Sequence, residues 1–294
     1  MKEAFIKLHL SILLAGGTGI FGKLISLSEF MLVWYRMLFA AILFLLVLKV
    51  SGSLRRVTRH DVVKIGAVGI LLALHWVFFY GSIKMSNVSI GVVCLSLMSF
   101  FTALFEPLIN HKRVSMKEIA FSLIAVGGIA LIFHFDVRYR VGVLMGIVSS
   151  ALASLFTITN KRVSVNYSSG TMLLYEMIGG FVGLTCLFPL YDYAFGVDFV
   201  LPDQTDFCYL LCLASVCTVC LYILQIQVLK VISAFTVNLS YNLEPIYSII
   251  LAMILFDEGR YLDQSFYMGL FLILFSVVSQ SMYAFLRRRG AGPA

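Results

Sequence analysis

Apolar stretches of membrane-crossing length follow one another almost from end to end of this chain, parted by short polar breaks. They fall near residues 5–22, 30–50, 63–82, 87–109, 118–135, 141–160, 171–190, 207–228, 232–255 and 265–286. A hydrocarbon core of about 30 Å is crossed by about 20 helical residues at 1.5 Å each. The pattern therefore predicts an all-α integral membrane protein with ten transmembrane helices. No polar break approaches the size of a soluble domain, about 50 residues or more. An appended ATPase is thereby excluded, so energy has to come from a gradient or a partner.

Ten spans divide into five and five. An odd number per half makes the second half enter the membrane from the opposite side. Residue matches support such a repeat. Lys84 and Lys230 hold the same place after the third helix of each half. Tyr35-Arg36-Met37 faces Tyr175-Glu176-Met177, and Ala15 and Lys23 face Ala153 and Lys161. The expected units are a first repeat over 1–138 (helices 1–5) and a second over 139–294 (helices 6–10), together one transmembrane domain. Inverted repeats of this kind build a substrate site at their interface near the bilayer midplane.

Composition agrees with the pattern: 61% of residues are hydrophobic and 13% charged, far from a soluble chain. The first span lacks a small-residue cleavage site and is expected to stay in the bundle. With the N-terminus in the cytoplasm, sixteen of the 22 Lys and Arg lie on inner segments, five on outer ones, and Arg36 within a span. That bias predicts a multi-pass protein of the cell (inner) membrane with both termini cytoplasmic. The net charge of +7 is thus a topology signal and gives no support for nucleic-acid binding. The six cysteines lie in or beside spans with no histidine near them, so they read as small buried hydrophobes. No metal site and no cofactor is expected. Walker, H-E-x-x-H, EF-hand and G-x-S-x-G signatures are absent, which leaves an enzyme reading nothing to rest on.

Asn242-Leu243-Glu244-Pro245, then an apolar run, then Asp257-Glu258-Gly259-Arg260 and Gly269 carry a family likeness. So do Arg36 in the second helix and Gly127 in the fifth. With these, the chain resembles the EamA-type transporters of the drug/metabolite transporter superfamily over roughly residues 5–285. The resemblance implies ten helices in two inverted repeats and the movement of small metabolites, many of them amino acids or related compounds. The first repeat departs from the pattern: Ser99 stands where a helix-4 proline is expected and Lys112 where an acidic residue is expected. These motifs do not fix substrate or direction. The expectation is a secondary transporter working by alternating access, an exporter of an amino acid or related metabolite. A multidrug or lipophilic-cation exporter is the alternative within transport, and a non-transporting scaffold or receptor the alternative outside it.

Polar groups inside a bilayer are expensive, so each needs a reason. Asn238, Tyr241, Asn242 and Pro245 share one face of helix 9, beside Glu244. Pro245 cannot donate to the carbonyl of residue 241, which frees an acceptor there. Substrate-binding candidates are Asn238, Tyr241, Asn242 and Glu244, faced by His75 and Tyr80 of helix 3. Ser99, Thr102 and Glu106 share a face of helix 4 and are candidates for a gate, with Glu106 a carrier of a coupling proton. Arg36 and Glu176, repeat-related and opposite in charge, read as structural intramembrane charges, attractive as a direct pair. Glycines at 16, 17 and 19 in helix 1, with Ser149, Ser150, Ser154, Thr157 and Asn160 in helix 6, predict close packing at the repeat interface. The expected partners are a small-molecule substrate, the lipid bilayer and a coupling proton.

Overall fold

The computed structural model describes residues 2–55, 57–111, 115–135, 137–164, 167–229 and 243–290. The described residues form helices joined by short turns, without strands. We label them α1 (Lys2–Leu24), α2 (Glu29–Val50), α3 (Arg59–Met85), α4 (Val88–Asn110), α5 (Met116–Phe135), α6 (Arg140–Ser164), α7 (Ser169–Phe195), α8 (from Gln204 to Leu229), α9 (Glu244–Phe256) and α10 (Gln264–Gly290). Seven described helices, α1 to α4 and α6 to α8, are long and apolar enough to cross a membrane. Shorter apolar stretches at Ile119–Ile132, Glu244–Phe256 and Gln264–Ser279 lie where the fifth, ninth and tenth spans are expected.

The helix starts are written in the sequence. Ser28, Thr58, Asn87, Ser168 and Asp203 sit at N-caps, and each side chain accepts a hydrogen bond from the backbone amide three residues on. Gly196 ends α7 in the left-handed conformation, φ +62°, which glycine adopts without a Cβ clash. Two helices are irregular inside. α4 tightens into a 3-10 turn at Leu95–Leu97, and α8 widens into a π-helix over Ser215–Cys220. A π segment re-aims the side chains it carries and often marks a functional site.

α3 is central: it packs along α6 and α7, and α2 lies against α7. α1 lies against α8 and α9, and α5 against α10. Glycine sets the last contact. A Cβ on Gly128 would meet the Gly269 carbonyl oxygen at 2.6 Å, and a Cβ on Gly269 would meet that of Gly128 at 2.6 Å. The backbones of α5 and α10 therefore touch, reciprocally. Gly127, the position suggested by the family resemblance, faces open space instead.

Candidate functional site

The polar residues of α6 form a row whose members bond to three other helices, α3, α4 and α7. Ser149 Oγ lies 2.9 Å from His75 Nδ1 on α3 and donates to the His75 carbonyl at 3.0 Å. Ser150 Oγ donates to the Cys94 carbonyl of α4 at 2.7 Å. Ser154 Oγ meets Thr102 Oγ1 of α4 at 2.9 Å, and Asn160 Nδ2 donates to Glu176 Oε1 of α7 at 2.7 Å. Small hydroxyls at this spacing let helices approach while satisfying backbone acceptors that lipid cannot satisfy.

Arg36 and Glu176 are both buried, at 2% and 0% exposure. They do not pair with each other. The guanidinium of Arg36 stacks 3.5 Å above the Trp76 ring, donates from Nη1 to the Tyr80 hydroxyl at 2.6 Å and from Nε to Thr218 Oγ1 at 3.1 Å. It therefore points into the bundle rather than snorkelling to the surface. Thr218 lies in the π segment of α8 and donates onward to the Leu213 carbonyl, five residues back. Glu176 is held through Oε1, and its Oε2 has no partner among the described residues.

The other expected residues are distributed as follows. His75 is tied to Ser149, across the α3–α6 seam, and not to Glu106 or Glu244. Tyr80 is wholly buried against Arg36. Ser99 Oγ donates to the Ser96 carbonyl within α4, while Thr102 joins α4 to α6. Glu106 is half-buried near the C-terminal end of α4, one residue before Pro107. Glu244 begins α9, half-buried, with Pro245 in the first turn where a proline costs no helical hydrogen bond. Asn238, Tyr241 and Asn242 lie outside the described residues.

A second arrangement was not foreseen from the sequence. At one end of the bundle, the carboxylate of Glu258, just after α9, is 2% exposed and accepts four hydrogen bonds. The Val88 amide and Lys23 Nζ reach Oε1 at 2.9 and 3.0 Å, and the Ser89 amide and hydroxyl reach Oε2 at 2.9 and 2.7 Å. One side chain thus joins the end of α1, the start of α4 and the turn after α9. Nearby, Asp206 of α8 accepts from the Ser26 amide at 2.9 Å and hydroxyl at 2.7 Å, Lys84 donates to the Ile25 carbonyl at 2.8 Å, and Tyr191 donates to Glu29 at 2.6 Å. At the opposite end the described ties are sparser. Tyr167 hydrogen-bonds Asp61, whose carboxylate holds the phenol above its usual pKa. Arg162 reaches the Ile109 carbonyl at 3.5 Å. Among the described residues no cluster of His, Cys, Asp and Glu could hold a metal ion.

The sequence model of the EamA-like transporter family matches residues 4–134 and again 140–282. An uncharacterized transporter of Bacillus subtilis (strain 168), YxxF, is 26% identical over 159 residues, 53% of this chain and 51% of that protein. The chain thus spans about half the length of this curated relative. A protein of known crystal structure superposes with a TM-score of 0.60 over 94% of this chain and 96% of its own, at 15% identity, a likeness of fold alone.

Proposed function

The chain belongs to the EamA-like transporter family, and from that premise we propose that it is a secondary transporter of a small polar metabolite, an amino acid or a close relative, working by alternating access. The family match over both halves carries the reading. The division at residues 138 and 139 falls between the two matched stretches, which supports two five-helix repeats. Inverted pairing of those repeats is supported further by the reciprocal contact of Gly128 and Gly269, one glycine from each half. Buried Arg36 and Glu176 speak for a polar cargo, since a bundle serving only as a scaffold has no use for such costly groups.

The end stitched by Glu258 and Asp206 is the outer end if the positive-inside bias sets the orientation. We read it as the closed side of the transport path. Glu244, with Asn238, Tyr241 and Asn242 preceding it, is the proposed polar wall of a central cavity, and Glu106, Ser99 and Thr102 of α4 are proposed toward its cytoplasmic gate. The test is flux: the full chain, reconstituted in liposomes, is offered a pool of labelled amino acids and related metabolites. Saturable uptake or counterflow of a member supports the reading. Liposomes indistinguishable from protein-free controls across the whole pool refute it.

A further inference from the structure

We propose that Arg36 is the anion-recognition residue of this transporter, and that its ligand is a carboxylate on the transported molecule. The inference deepens the transport reading and rests on it.

The side chain lies seven residues into α2, about 10 Å below the end of that helix. A guanidinium there is always charged and carries five N–H donors. The protein answers it with neutral groups only: the Tyr80 hydroxyl, Thr218 Oγ1 and the face of Trp76. Among the described residues no carboxylate lies within ion-pair distance of it. Lys23, half-buried, has the Glu258 carboxylate, whereas Lys84 and Glu176, like Arg36, meet neutral groups, the Ile25 carbonyl and Asn160. A cation kept in a low-dielectric interior without an anion is unfavourable unless something else compensates it.

The surrounding groups also fix its direction. Stacking on Trp76 sets the plane of the guanidinium, and the bonds to Tyr80 and Thr218 set its rotation within that plane. Two helices contribute, α3 with Trp76 and Tyr80 and α8 through its π segment, which carries Thr218. The bonds use Nε and one N–H of Nη1. Nη2 is bonded to no described residue, and a planar guanidinium with donors to spare is suited to a carboxylate. Trp76, Tyr80 and Thr218 are positioning residues, and Arg36 is the group that meets the ligand.

The test uses thermal unfolding of the purified full chain and then flux. The probes are the amino acids, simple mono- and dicarboxylates, and the matched carboxamides, which keep size and lose the charge. Carboxylates are expected to raise the melting temperature of the wild type more than their amides do. In Arg36→Lys, which keeps charge but loses the planar guanidinium, that preference should shrink, and the concentration for half-maximal stabilisation should rise about tenfold. Equal stabilisation by acids and amides, no stabilisation by any carboxylate, or an Arg36→Lys protein that responds like wild type overturns the proposal. If Arg36→Lys does not fold, Tyr80→Phe carries the test. It should weaken carboxylate binding several-fold and leave the preference over amides intact, and an unchanged affinity refutes the geometry. The flux assay separates the two readings. Flux of acids and amides alike refutes Arg36 recognition but leaves transport standing, whereas carboxylate-selective stabilisation without any flux refutes transport alone.

Discussion

Replacing Glu258 by alanine should loosen one end of the bundle more than any other single change at that end. Its two oxygens hold the amides of Val88 and Ser89, the Ser89 hydroxyl and the Lys23 ammonium. Val88 and Ser89 are fully buried, so their amides cannot turn to water. An unsatisfied buried donor costs about 1–3 kcal/mol. Lys23 is 38% exposed at its side chain and can rehydrate, so its loss adds only about 0–1 kcal/mol. Two orphaned amides dominate, and Glu258→Ala should cost about 3–5 kcal/mol. Glu258→Gln keeps one acceptor oxygen and should cost about half as much. Lys23→Met should be nearly neutral. The assay is thermal unfolding in detergent paired with hydrogen exchange over residues 86–94. The expected order of destabilisation is Ala, then Gln, then the Lys23 variant, with amide protection at 88–90 lost in the first two. If Glu258→Ala melts with wild type and those amides stay protected, the carboxylate does not hold α4, and the reasoning fails.

Further outcomes can be checked beside this one. Gly128→Ala should lower thermal stability or expression, because its Cβ would meet the Gly269 carbonyl at 2.6 Å, while Gly127→Ala, facing open space, should be tolerated. Equal behaviour of the two variants would refute the backbone contact. Reporter fusions after residues 56, 113 and 162 should read as cytoplasmic and one near 198 as outside; a swap would place the Glu258 end on the inner face. Asn242→Leu should reduce flux while expression and melting stay near wild type, and a collapse of stability instead would make residue 242 a packing group. Glu244→Gln with an unchanged pH profile of transport would remove that carboxylate from any proton coupling.

The seven long spans were legible because hydropathy is local. Hydropathy marks a span wherever it runs, and a Ser, Thr, Asn or Asp before an apolar run marks a cap at Ser28 or Asn87 regardless of the rest of the fold. The polar row of α6 was legible as a set of residues but not as a set of bonds. Which helix meets Ser149 or Asn160 depends on packing between segments, which spacing within α6 does not encode. Glu258 shows the limit more sharply. Its position in an acidic loop motif was visible, yet its donors come from residues 23, 88 and 89, far away in the chain. Arg36 was visible as an intramembrane charge, and its opposite-signed counterpart Glu176 suggested a pair. The structure gives each its own neutral partners instead. Ser215–Cys220 gave no sign of its π conformation, since a run of small and β-branched residues has no period that separates π from α.

The reciprocal glycine contact has a consequence for how the protein is made. Gly128 belongs to α5, and Gly269 belongs to the last described helix. Helices enter the membrane in the order in which the ribosome delivers them. When α5 arrives, its partner has not yet been synthesised, and about 130 residues must follow before α10 can lay its backbone on Gly128. Until then the Gly128 face of α5 is open to lipid or to wrong neighbours. A chain stopped before residue 264 would leave it open permanently. Among the described contacts, this seam therefore forms only after α10 has been delivered, late in synthesis.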